Sequence, residues 1–352
     1  MRTRFVWLMA AASAVAVLVA ACGGDDSSDE TADSGTAATA PAGATTASSA
    51  GPTDLVALKQ APATLAADDA AWKAARPTTV KTSIVTGSKA TEAKDVTVQA
   101  LYSDTDIWFR FEWADSAEST RAWVYDGTTW KKSPDNEDRL ALYWEITPST
   151  DFQTRGCAAL CHSSDSEPLD KWYMVAPKAG EVLDNWHWKS ARTNPVGQTD
   201  DKSLVGALAD PKDIESASIA DKKASGGYSD NLNAEKTGPA KMQDPAKKPS
   251  AGATALLVSE AVALDVSKLK AGDKVPRELI APAVGSRGDI ETKGVWAAGK
   301  WTVVMHRKLD TGQPDDAKFT LGKSYAFGLS VFNNLDAVNH TVSKGVYTLI
   351  LK

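Results

Sequence analysis

The sequence predicts a mainly β chain, an antiparallel β-sandwich with short helices and long loops. Three observations predict it: apolar residues alternate with polar ones in many short segments, turn signals separate those segments, and helical periodicity is scarce. Val96, Val98 and Ala100 alternate with Thr97 and Gln99, and Ile107, Phe109, Phe111 and Trp113 alternate with Trp108, Arg110 and Glu112. The turn at 103–106 makes these a hairpin. Trp123 to Tyr125, Asp126-Gly127 and Thr128 to Trp130 repeat the pattern, with Asp-Gly suited to a tight primed turn. Leu140, Leu142, Trp144 and Ile146 give another inward face that stops at Pro148. Later strands are expected at 255–258, 294–296, 301–307, 325–331 and 347–351. A short helix around Asp68 to Trp72 should end by Pro77.

Composition and the N-terminus set the surroundings. The 352 residues carry a net charge of -6, more acidic still once Arg2 and Arg4 leave, which argues against a nucleic-acid partner. Residues 1–21 hold two arginines, an apolar run from Phe5 through Val19 and then small residues, an export signal rather than a membrane span. Val19-Ala20-Ala21-Cys22 is similar to the bacterial lipobox, so Cys22 is expected to be lipidated and to anchor the protein to a membrane without spanning it. Residues 22–55 read as a polar, flexible tether and 56–352 as the globular domain. Within that domain, 200–253 reads as a long polar excursion, either a surface loop or a lid. Carboxylate pairs such as Asp200-Asp201 and Asp315-Asp316 read as solvated turn residues. There is no phosphate-cradling glycine loop and no nucleophile elbow, so no catalytic activity of the chain's own is expected.

With Cys22 lipidated, Cys157 and Cys161 are the only cysteines left. In Cys157-Ala158-Ala159-Leu160-Cys161-His162 two thiols precede an imidazole, the pattern that attaches a haem through thioethers and ligates its iron through the adjacent His. Three residues separate the cysteines where two are usual, so two other readings stay open. One is a Cys157–Cys161 disulfide in an exported protein. The other is a metal site, although no second Cys or His pair at ligand spacing follows.

The chain has four histidines. His162 is the candidate proximal ligand. His187 lies between Trp186 and Trp188, two rings that could wall a flat macrocycle or pack as ordinary core. His340 precedes the terminal strand on an expected loop. His306 shares a strand face with Thr302 and Val304 and reads as structural. Met174 and Met305 are possible thioether ligands, with packing the default for both.

Several segments together resemble the haem-binding family typified by the gamma subunit of ethylbenzene dehydrogenase and its periplasmic cytochrome relatives. They are Trp123 with Trp130, 137–146, 156–162, 184–192, 285–290, 301–312 and 339–343, so the resemblance spans the chain from about Trp72 onward. It implies a β-sandwich that binds one haem and transfers electrons. Its expected partners are a quinol or molybdenum enzyme as donor and another cytochrome. The typifying subunit holds a non-covalent haem b between Met and Lys. Here the Cys-His loop points instead to covalent haem c, with His162 and His340 as axial pair, His187 as the alternative distal ligand and Lys344 a weaker one. If the thioethers do not form, haem b is expected.

Overall fold

The computed structural model describes residues 51–160, 174–206, 218–220, 226–247, 254–335 and 339–352. The export signal, Cys22, Cys161 and His162 lie outside the described residues. So does most of the tether, and none of the described helices is long and apolar enough to cross a membrane.

The main sheet has fifteen strands among the described residues, of which twelve are labelled here in chain order. These are β1 (Asp54–Val56), β2 (Leu58–Lys59), β3 (Val96–Tyr102), β4 (Asp106–Ala114), β5 (Arg139–Glu145) and β6 (Val182–Lys189). Then come β7 (Gln198–Val205), β8 (Ile290–Ala297), β9 (Lys300–Lys308), β10 (Ser324–Phe332), β11 (Thr341–Ser343) and β12 (Tyr347–Ile350). Hydrogen bonding runs in the order β1-β12-β10-β5-β6-β7-β8-β9-β4-β3-β2, with β11 on β10. This one sheet folds over at the β7–β8 pairing, giving two layers with the main core between them. At the other edge Ala57 switches the chain between layers: β1 pairs with β12 and β2 with β3, while the Ala57 amide donates to the Ile350 carbonyl at 3.0 Å. Those two pairings are parallel, and the remaining ones named here are antiparallel. Closing both edges protects strand edges that would otherwise invite pairing with other chains.

Period two explains the core. Phe109 and Phe111 of β4, Leu142 and Trp144 of β5, Trp186 and Trp188 of β6, Trp301 of β9 and Phe327 of β10 all point inward and are wholly or almost wholly buried. Phe109 lies 5.4 Å from Trp144 and 5.7 Å from Trp186 between ring centroids, and Trp188 meets Trp301 edge-on at 4.9 Å. Offset and edge-to-face contacts of this kind add to simple area burial.

Several sequence expectations need correction. The tether ends before residue 55, because Leu55 is fully buried in β1. The expected helix is a 3-10 turn, Ala70–Lys73, capped by the Asp69 carboxylate. The 123–130 hairpin, Ala122–Tyr125 with Trp130–Lys132, closes through a four-residue loop, because Asp126 accepts bonds from Thr128 and Thr129 instead of entering a two-residue turn. Residues 255–258 do not form a strand: Leu256 is buried and Val258–Glu260 is a 3-10 turn. The 200–253 excursion begins inside β7, and two of its later pieces pair with C-terminal segments, Gly227–Asp230 with Glu278–Ala281 and Lys241–Gln243 with Ala261–Ala263. Asn231 anchors it. Fully buried, it donates to the carbonyls of Lys241 and Pro276 and accepts from the amides of Ala240 and Lys241. A polar sequence is therefore ordered by hydrogen bonds rather than by apolar burial.

Trp144→Ala, at the centre of the aromatic core, should cost about 3–5 kcal/mol in equilibrium unfolding. A loss below about 1 kcal/mol would show that this ring is not at the core of the folded state.

Candidate functional site

Strands β5, β6 and β10 bury both of their faces. Their inward residues enter the core just described; their outward residues form a second layer with a different chemistry. The register aligns these in rows. Ser330, Ala141, His187 and Asp200 form one row, Gly328, Tyr143, Asn185 and Lys202 the next, and Phe332, Arg139 and Lys189 flank the first on its other side. Small residues at 328, 330 and 141 leave room on this face. A smaller apolar cluster covers it, containing Cys157, Leu160, Tyr143, Phe152, Leu183, Leu204, Phe332 and Val342, with Met174 packed against it.

Cys157 reaches this face through a defined path. Helix α1 (Thr150–Arg155) is capped by Ser149, whose hydroxyl accepts from the Phe152 amide, and Phe152 is fully buried. Gly156 then takes φ 60°, and a Cβ there would lie 2.7 Å from the Gly345 carbonyl oxygen. The chain continues as a 3-10 turn, Gly156–Ala159, that lays Cys157 against β10. A Cβ on Gly328 would come within 2.8 Å of the Cys157 amide nitrogen, so this close approach requires glycine. The Cys157 Sγ is wholly buried, 3.1 Å from the Ser330 Oγ. Beyond it, the Val175 amide donates to the Leu160 carbonyl at 3.0 Å, so the two ends of the segment carrying Cys161 and His162 lie together at this face.

The histidines divide clearly. His187, Phe332 and His340 form a stack, with ring centroids 5.6 Å apart for the first pair and 4.8 Å for the second. Both candidate distal ligands therefore stand on the outer face, on either side of one phenyl ring. The His187 Nε2 is inaccessible to solvent and has no hydrogen-bond partner among the described residues. Burial, then the cations Lys189, Arg139, Lys202 and Arg192, push its imidazolium form well out of the normal range, so the ring is neutral. A neutral imidazole is the form that ligates a metal. His340 is buried rather than on an open loop, its carbonyl accepting from the Val85 amide.

Trp186 and Trp188 do not join these groups. They sit on β6 with the opposite parity to His187, in the inter-layer core, so they cannot wall a group held against Cys157 and His187. Met305 is also core, and Lys344 is exposed. His306 stacks on Trp108 at 4.8 Å and pairs with Asp106 and Glu291, each at 3.0 Å, which is a structural role.

A rim of charge surrounds His187 that sequence reading did not assign. Lys189 pairs with Asp200 at 2.5 Å, Arg287 with Asp200 at 2.5 Å, and Glu137 with Arg139 at 3.1 Å and Arg192 at 2.5 Å. Tyr228 donates to Asp200 at 3.0 Å, and its ring faces Arg192, Arg287 and Lys189 at 4.6, 5.1 and 5.2 Å. Asp200 is thus a buried hub, not a solvated turn residue. Cations outnumber carboxylates here, a balance suited to an anionic ligand. The signal was in the sequence: Leu183, Asn185, His187 and Lys189 alternate with Trp186 and Trp188, which assigns His and Trp to opposite faces.

Burial alone would raise the Glu137 carboxyl, but Arg192 and Arg139 hold it down at about 2. A carboxyl lowered in the folded state contributes stability that is present above its unfolded value near 4.5 and lost as pH falls toward about 2. Glu137→Gln should flatten the acid limb of a stability-versus-pH curve in that window. It should also cost about 3–5 kcal/mol at neutral pH, because two buried guanidiniums lose their counter-charge. An unchanged acid limb would contradict the assignment.

The model of the ethylbenzene dehydrogenase family matches residues 69–343. No curated protein matches the chain. Among solved structures, a protein from Bacteroides uniformis described as carbohydrate-binding aligns over 85% of this chain and 99% of its own at 9% identity, with a TM-score of 0.36. A family 9 carbohydrate-binding module from Caldicellulosiruptor kristjanssonii, in complex with glucose, aligns over 85% of this chain and 95% of its own at 8% identity, with a TM-score of 0.31. Similarities this low carry no argument about fold or ligand. With the family model covering most of the globular part, the chain belongs to the ethylbenzene dehydrogenase family.

Proposed function

We propose that this protein is an exported, lipid-anchored electron carrier that holds one haem c on the outer face of β5, β6 and β10. The observation that carries the reading is convergence. Cys157, the shared base of the segment bearing Cys161 and His162, His187 and His340 all meet one side of the sheet. Ser330 and His187 lie two strands apart in one row, about 10 Å at normal strand spacing, a separation a macrocycle can span.

Bound there, a haem supplies a reversible one-electron couple. The chain's own residues do the rest. Cys157 and Cys161 would hold it through thioethers and His162 would supply a nitrogen ligand to its iron. The neutral His187 shares a row with Ser330, the contact of Cys157, and its Nε2 has no hydrogen-bond partner among the described residues, so this reading gives it the distal place; His340 packs against the other partner of that stack, Phe332. The rim of Lys189, Arg192 and Arg139 offsets the negative charge of the haem's carboxylates. The apolar cluster excludes water from the iron.

The lipid on Cys22 and the tether keep the domain at the outer face of a membrane, within reach of a quinol or molybdenum enzyme and a second cytochrome. Family membership also favours a second reading, a dedicated haem subunit of a molybdenum dehydrogenase complex. Co-purification with a larger catalytic chain would select it.

His187→Ala should convert the visible spectrum from six-coordinate low-spin to high-spin, whereas His340→Ala should leave it low-spin. The reverse pattern would return the distal place to His340. A His162→Ala protein with an unaltered reduced spectrum would contradict the haem assignment to this loop.

A further inference from the structure

The cations at the outer face are not equally satisfied. Arg139 and Arg192 share Glu137, and Lys189 and Arg287 share Asp200. Lys202 of β7 stands beside them, half-buried, with no carboxylate within ion-pair distance among the described residues. Burial, and then the charge of Lys189, disfavour its ammonium. A cation withdrawn from water without a counter-charge is costly.

A second group beside it is also unsatisfied. Asn185 lies directly opposite Lys202 in the β6–β7 register, so the two side chains are neighbours on one face, one row from His187. Asn185 is almost wholly buried, and its Oδ1 has no hydrogen-bond partner among the described residues. The position of the pair is equally informative. Cys157 lies against Ser330 of β10, and the strands run β10, β5, β6, β7, which puts the Lys202 strand three spacings away, about 14 Å.

Protohaem carries its two vinyl groups and its two carboxylate arms on opposite edges of the ring, and thioethers form on the vinyl carbons. A haem held as proposed above therefore has its vinyl edge fixed by Cys157 at β10 and its carboxylate edge turned toward β6 and β7. Resting on that reading, we propose that Lys202 receives a haem carboxylate and that Asn185 positions the ammonium for it. An ammonium has three N–H donors. The Asn185 Oδ1 would accept one and leave two for the carboxylate. Lys202 thereby gains a counter-charge and the Asn185 oxygen a donor. The two edges of the macrocycle are then fixed by residues of different strands, Cys157 at β10 and Lys202 at β7, which sets its direction on the face.

The test uses the full-length holoprotein, once its intact mass has shown haem attached; a chain without haem would refute the haem reading itself, before Lys202 is in question. Lys202→Met removes the charge at nearly constant length. It should shift the propionate bending band of the resonance Raman spectrum and lower the midpoint potential, because loss of a nearby positive charge favours ferric iron. Lys202→Arg, which keeps the charge, should hold the potential near that of the parent protein. Lys59→Met, at an exposed lysine of β2, should move neither signal. Should Lys202→Met fail to fold, Lys202→Gln takes its place with the same two shifts expected. An attached haem whose propionate band stays unmoved in the variant would overturn the proposal, even with a lowered potential, since the charge would then act through its field alone and the carboxylates would lie elsewhere.

Discussion

The structure depends on three strands that are buried on both faces. An antiparallel sheet commonly packs one face and wets the other. Here β5, β6 and β10 lie beneath the main aromatic core on one side and beneath the Cys157 cluster on the other. Each residue's parity along β6 then decides its chemistry. Trp186 and Trp188 hold the layers together, while His187 and Lys189, one residue out of phase, face the candidate site. A shift by one residue would exchange the two sets, so fold and function rest on the same register.

Burial on both faces makes polar residues expensive, and the strands answer with grouped charge. The outer face gathers Lys189, Arg139, Arg192 and Arg287 around Glu137 and Asp200, with cations in excess. The inner end gathers Asp184, Asp201 and Asp316 around Arg307, with carboxylates in excess. Neighbouring residues of β7, Asp200 and Asp201, serve the two groups separately because their side chains leave by opposite faces. The two faces of one sheet thus carry opposite charge imbalances. Paired ions of this kind add little net stability over apolar packing, but removing one partner is severe.

The sandwich was legible wherever period two was strong. The 96–113 hairpin, the 294–307 hairpin that the structure extends to 290–308, the inward face of β5 and the terminal strand follow from alternation and turn residues alone. The 200–253 stretch was not legible, because its order comes from hydrogen bonds such as those of Asn231 and from ion pairs through Asp200, which leave no apolar period. Asp200 and Asp201 read as solvated for the same reason: two adjacent acids look like a turn unless their partners, distant in sequence, are known. At the site, the sequence offered His187, His340, Trp186 and Trp188 as one group; the structure brings the two histidines together on the outer face and puts the two tryptophans in the inter-layer core. Strand alternation would have separated them once β6 was recognised as a strand.

The central claim is that the outer face carries a covalently attached haem, and the intact mass of the full-length exported protein, made with a haem-attachment system and denatured in acidic acetone, tests it most directly. The account predicts a polypeptide heavier by one haem, with neither Cys157 nor Cys161 available to a thiol reagent after reduction. A chain of unmodified mass that yields two thiols on reduction would contradict it, leaving a non-covalent haem b if haem passes into the acetone and a disulfide-closed sandwich if none does.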